Sequence, residues 1–145
     1  MDYRNAFAIS ATGMNVEKLR LDTSASNLAN LHSSKGVDGK LYRPLQVKVT
    51  EAGVDFAVDF ERMAGAQLHG AQVASVEESD VAPRMVYEPG NPDADDKGYV
   101  ALPGVNHVTE MVNIATALRA YEANVVAMNA AKTMALKALD LGGGQ

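Results

Sequence analysis

Residues 105–141 read VNHVTEMVNIATALRAYEANVVAMNAAKTMALKALDL, from Val105 to Leu141. No Gly or Pro interrupts this stretch and Ala, Met and Leu dominate it, so it predicts one long helix. Met111, Leu118, Val125, Lys132 and Leu139 fall at one core position of a heptad. Ile114, Tyr121, Met128 and Ala135 fall at the other, so the 3-4 spacing runs for about four heptads. At about 1.5 Å per residue the helix is on the order of 50 Å long. A domain of this size does not surround such a rod, so it needs a partner along its length.

The faces away from that seam carry Val112, Ala115, Ala120, Ala123, Val126, Ala127, Ala130 and Met134, with few charges among them. A helix with a solvated back face normally carries more charge there. Small side chains permit close backbone approach, and Asn124 and Asn129 offer hydrogen bonds that fix register across a helix contact. The expectation is a helix buried on several sides, with most of its neighbours supplied by other subunits.

Residues 3–30 read as a second amphipathic helix, with Phe7, Met14, Leu21 and Leu28 recurring every seven residues. Gly13 weakens it by about 1 kcal/mol relative to Ala. Two helices at opposite ends of the chain, with matching seams, predict an antiparallel pair. Between them a Ser/Gly/Asp/Lys loop follows residue 31, and alternation predicts strands at 45–50 and 54–60 joined by a Glu51–Gly53 turn. Weaker strand patterns follow at 72–78 and 84–88, and a clearer one at 98–102. Pro103-Gly104 ends the insert and Asn106 is the expected N-cap of the long helix. The fold class is therefore α+β, with a small antiparallel β domain inserted between two long terminal helices. The segments are 1–31, 32–104, 105–141 and a tail at 142–145.

Composition narrows the function. The 145 residues contain no Cys or Trp and carry a net charge of −5. Disulfides and thiolate metal sites are excluded, and no basic patch suits nucleic acid. The acidic excess sits in the middle segment, while both ends are balanced, which suits termini packed together and a middle facing outward. No apolar run approaches the about 18 residues of a membrane span, and the opening Met1-Asp2-Tyr3-Arg4 does not read as a cleaved signal.

No pattern argues for catalysis. His107 and Glu110 sit at i,i+3 as metal ligands can, but no second such pair exists and a first-turn carboxylate suits the helix dipole. Asn91, Asp93, Asp95 and Asp96 hint at a calcium loop, yet Asp96 occupies the place of the turn glycine. Ser24 and Ser26 lack a base at triad-like spacing. No cofactor and no metal are expected.

Ser24-Ala25-Ser26-Asn27-Leu28-Ala29-Asn30 resembles the N-terminal signature of the flagellar rod and hook axial proteins. Tyr87-Glu88-Pro89-Gly90-Asn91-Pro92-Asp93-Ala94-Asp95 with Gly98-Tyr99-Val100 is similar to the proximal-rod members of that family. Glu110-Met111-Val112-Asn113, Arg119-Ala120-Tyr121-Glu122-Ala123-Asn124 and Lys132-Thr133-Met134 continue the likeness. This chain departs from it at Leu31-His32-Ser33, where a small residue and a Thr are usual, and at Gly104, where Asn is common.

The resemblance implies a structural, non-enzymatic subunit of the flagellar basal body, exported by the flagellar type III apparatus and polymerising into the torque-carrying proximal rod. Its implied partners are copies of itself, other rod proteins and the export-gate adaptor at the rod base. The expected assembly interface comprises Phe7, Met14, Leu21, Asn27, Leu28 and Asn30 from the first helix. From the second it comprises Met111, Leu118, Tyr121, Asn124, Val125, Met128 and Leu139. Phe56 and Phe60 resemble a docking motif of rod and hook export substrates, although strand alternation explains them equally. The competing function is a cytoplasmic coiled-coil adaptor.

Overall fold

Pro103 and Gly104 close the β region, and Asn106 then starts the long helix as a cap. Its Oδ1 accepts the backbone N–H groups of Val108 at 3.0 Å and Thr109 at 3.2 Å. Such a cap contributes about 1 kcal/mol by satisfying donors that have no partner within the helix. The computed structural model describes residues 3–36, 39–51 and 70–142. Its elements are α1 (Tyr3–Ala29), β1 (Leu45–Glu51), β2 (Ala71–Glu78), β3 (Arg84–Tyr87), β4 (Tyr99–Leu102) and α2 (His107–Gly142). The α+β class with long terminal helices is as expected. The second helix begins two residues later than its segment and runs on through Gly142, which the sequence assigned to the tail.

α1 ends without a left-handed glycine. The Asn30 side chain donates to the Ser26 carbonyl at 2.9 Å, and Ser33 Oγ donates back to Asn30 Oδ1 at 3.2 Å. The two helices lie antiparallel, because Gly13 meets Asn124 while Asn27 meets Glu110. With 27 and 36 residues, they are about 40 and 54 Å long.

β1 and β2 pair antiparallel, from Leu45 opposite Glu78 to Glu51 opposite Ala71. The register shifts after Lys48, leaving Ala74 as the extra residue of a bulge. Val73 and Val76 are three apart, which strict alternation would send to opposite faces. The bulge instead sets them opposite Val49 and Val47. Both strands pack on α1. Residues 54–60, expected to pair with β1, lie outside the described residues, as do Phe56 and Phe60; the described partner of β1 is β2.

β3 and β4 form a second two-stranded sheet that ends with Tyr87 opposite Tyr99. Their rings meet edge to face at 5.3 Å. Among the described residues the buried apolar side chains are Val16, Val100, Leu102, Val105, Ala117 and Ala131. That is a small core, divided between the joint of β4 with α2 and the line where the helices touch. Gly104 belongs to that joint. A Cβ there would stand 2.5 Å from the Ala82 carbonyl oxygen and 2.6 Å from Val81 Cγ1, so a larger side chain has no room here.

Candidate assembly surface

Asn27 is the node from which the helix surfaces are positioned. It is 2% exposed, and its amide uses both donors and both acceptor sites. Nδ2 donates to the Leu45 carbonyl at 2.9 Å and to Glu110 Oε1 at 3.3 Å. Oδ1 accepts from the Leu45 N–H and the Tyr42 hydroxyl, both at 2.8 Å. Asn27 thus pairs with the Leu45 backbone as a neighbouring strand would, and joins α1, β1 and the first turn of α2. Sequence reasoning placed Asn27 on the interface. The structure buries it, with no hydrogen-bonding capacity left for another subunit. Asn30 likewise finishes α1.

The line along which α2 faces α1 differs in phase from the heptad read in the sequence. Ala117 and Ala131 are buried, Glu110 and Asn124 are half-buried, and these four recur every seven residues. Ile114, Tyr121, Met128 and Ala135 form the other line, as read, with Tyr121 at its rim. Met111, Leu118 and Leu139 belong to a line one residue further on and are exposed. The reason is distance between the backbones. Where helices approach closely, small residues take the inner position and bulky ones are displaced outward. Gly13 is the clearest sign of that approach: a Cβ there would lie 2.9 Å from both Nδ2 and Oδ1 of Asn124. Asn124 donates to the Ala120 carbonyl of its own helix at 3.0 Å, so it contacts α1 by shape rather than by a hydrogen bond across the seam. A heptad of Ala, Asn and Ala opposite a mid-helix Gly was the signal in the sequence that bulk obscured.

What remains outside is unusually apolar. Val108, Met111, Val112, Leu118, Tyr121, Val126, Met134, Leu136, Leu139 and Leu141 are all exposed on α2, with Val126 at 66% and Leu139 at 71%. Phe7, Met14, Leu21, Leu28, Val125 and Met128 are half-buried. Among the described residues no helix is long and apolar enough to cross a membrane.

The loop between β3 and β4 is built from turns that use their acids internally. Asn91 Oδ1 accepts the Asp93 N–H at 3.0 Å, and Asp95 Oδ1 accepts those of Lys97 and Tyr99. Asp93 ties the loop to the segment after α1, accepting from Ser34 Oγ at 2.7 Å and from the Lys35 ammonium. The Lys35 hydrogen bond, then that of Ser34, hold its carboxyl below the usual aspartate range. Glu110, three residues after His107, accepts from the Asn27 and Asn113 amides. Among the described residues no group of three His, Asp or Glu side chains could hold a metal ion. An open groove of about 590 Å³ lies between α1, β1 and the start of α2. Its walls mix apolar residues with polar ones, among them Arg20, Thr23, Ser24, Asn113 and Thr116.

Helices paired from the two chain ends, a small β insert, and more apolar surface than the chain itself covers mark a subunit whose helix surface is open to neighbours. The comparisons with known proteins specify which. Residues 96–141 match the family described as flagellar basal body rod FlgEFG protein C-terminal. The chain is 44% identical over 138 residues to the flagellar basal-body rod protein FlgC of Escherichia coli O6:H1, spanning 95% of this chain and 96% of that protein. It is 45% identical to FlgC of Salmonella typhimurium LT2 over the same shares. With FlgC of Bacillus subtilis 168 it shares 38% identity over 141 residues, 92% of this chain and 94% of that one. The chain belongs to the FlgC family of flagellar basal-body rod proteins, and it is a structural rod subunit located in the flagellar basal body.

Proposed function

We propose that the chain polymerises into the proximal rod through its terminal helices, and that α2 supplies most of the contact area. The observation that carries this reading is the ring of exposed apolar side chains on α2. It includes Met111, Leu118, Tyr121 and Leu139 from the expected interface and adds Val108, Val112, Val126, Met134, Leu136 and Leu141. Copies of the same chain, other rod proteins and the export-gate adaptor at the rod base are the partners, and the flagellar type III apparatus delivers the chain. The half-buried α1 residues Phe7, Met14, Leu21 and Leu28 flank the helix pair and complete the contact. Contacts that repeat head to tail without closing give a helical filament. Close-packed helix seams resist shear as crystals of small molecules do, which suits a shaft under torque. Its role is mechanical, with no cofactor.

The test is substitution on the outer line. Met111→Glu and Leu118→Glu are expected to leave the free chain folded and secreted, yet absent from purified basal bodies, with motility lost. Normal incorporation of both variants would refute the proposal.

A further inference from the structure

Two contacts tie α1 to α2 at points 14 residues apart on each helix, from Gly13 to Asn27 and from Asn124 to Glu110. Fourteen residues are two heptads, about 21 Å of helix axis, so the pair keeps one register over that length. The alanines on the same line do not choose it. Ala117 and Ala131 stand one heptad to either side of Asn124, and alanines pack alike against most positions of a neighbouring helix.

The two ties do choose it, by different means. Asn27 to Glu110 is one bond of a buried amide whose other three bonds hold Leu45 and Tyr42. At the second tie Asn124 sits over the bare Cα of Gly13, braced by its bond to Ala120. A slip of one heptad would bring Asn124 against Ala6 or Arg20, both of which carry the Cβ that Gly13 lacks.

We propose that Gly13 and Asn124, together with Asn27 and Glu110, are positioning residues that set the axial register of the helix pair. They thereby set how far α2 projects past α1. In this register Tyr3 stands opposite Met134, so residues 135–142 run about 12 Å beyond the first described residue of α1. That projection carries Leu136, Leu139 and Leu141, all exposed. A one-heptad slip would lengthen or shorten it by about 10 Å. The register is a property of the single chain, while its consequence for assembly rests on the rod reading above.

The chain has no Cys, so spin labels can be placed at will in the full-length protein. Lys18→Cys and Ala130→Cys are exposed sites on the two helices, away from the seam. Pulsed dipolar spectroscopy is expected to give one narrow distance in the otherwise unsubstituted chain. Gly13→Leu should broaden it or shift it by several ångströms, up to about 10 Å for a full heptad slip. Exchanging the two residues, as Gly13→Asn with Asn124→Gly, moves the slot across the seam at constant composition and should restore the narrow distance. Where Gly13→Leu loses helix altogether, Gly13→Ala takes its place: alone it should broaden the distance, and with Asn124→Ala narrow it again. A distance unmoved by either Gly13 substitution, an exchange pair that restores nothing, or a broad distance in the unsubstituted chain would each overturn the register proposal. None of these outcomes bears on whether the protein enters the basal body.

Discussion

Asn27 and Asp93 hold the joints of the chain by different physics, and they should fail differently. Asn27 is buried and saturated, so Asn27→Ala leaves the Leu45 backbone groups and the Tyr42 hydroxyl without their partner. A buried polar group left unpaired costs about 1–3 kcal/mol, and a lower urea midpoint in the free chain would register the loss. Asn27→Asp should be no milder at neutral pH. It keeps the two acceptor bonds but turns a second carboxylate oxygen towards Glu110 and the Leu45 carbonyl. Asp93 is half-buried, and its tie to Lys35 and Ser34 is electrostatic. Its carboxyl titrates below the ordinary value of 3.8, so its contribution is complete above that pH and fades as the pH falls through the lowered value. Proteolysis at the adjoining Lys35 should therefore be insensitive to pH between 5 and 7 and quicken below about pH 4. In Lys35→Gln the Asp93 titration, followed by NMR, should move back up towards 3.8.

At the scale of the helix, inside and outside of α2 should answer oppositely to substitution. Ala117 is 2% exposed, and Ala117→Leu adds bulk where the helices are closest, costing about 1–3 kcal/mol. Val126→Glu, at a site 66% exposed, should shift the stability of the free chain by no more than about 0.5 kcal/mol. Paired denaturation curves check both. The same contrast explains how much was legible. The existence, length and cap of α2 could be read from Asn106 and the unbroken run to Leu141, and the antiparallel partner from the heptad in α1. Which line of the heptad faces inward could not be read from bulk, because the bulky Met111, Leu118 and Leu139 are turned out while Ala117 and Ala131 face in. For an ordinary globular protein that rule succeeds; here the bulky residues are left for something beyond the chain. The β insert was harder for another reason. β2 pairs with β1 across an interval of about 20 residues, and its bulge at Ala74 breaks the alternation that marks a strand. The sequence sets Asn27 on the assembly interface, because nothing local shows that Leu45 and Glu110 converge on it.

For the whole molecule, the decisive quantity is how the exposed apolar surface compares with the cost of association. Burying the remaining exposed parts of the ten large side chains on α2 contributes on the order of 10 kcal/mol. Bringing two chains together costs about 4–15 kcal/mol. One neighbour covers only part of the helix circumference, so a pair of free chains gains little, whereas a site between several neighbours gains the whole amount. On the proposed assembly, such an interface would keep the subunit dispersed until a growing end presents enough surface. The sign of its temperature dependence follows. Apolar burial is entropy-driven near 25 °C and weakens on cooling, so self-association of the concentrated chain should strengthen between about 5 and 30 °C. Salt should matter little, because α2 carries six charged side chains in its 36 residues, three of each sign. Sedimentation velocity across temperature and ionic strength measures both. Association that weakens on warming and collapses with added salt would instead locate the contact in the acidic middle segment, with the terminal helices serving only as its support.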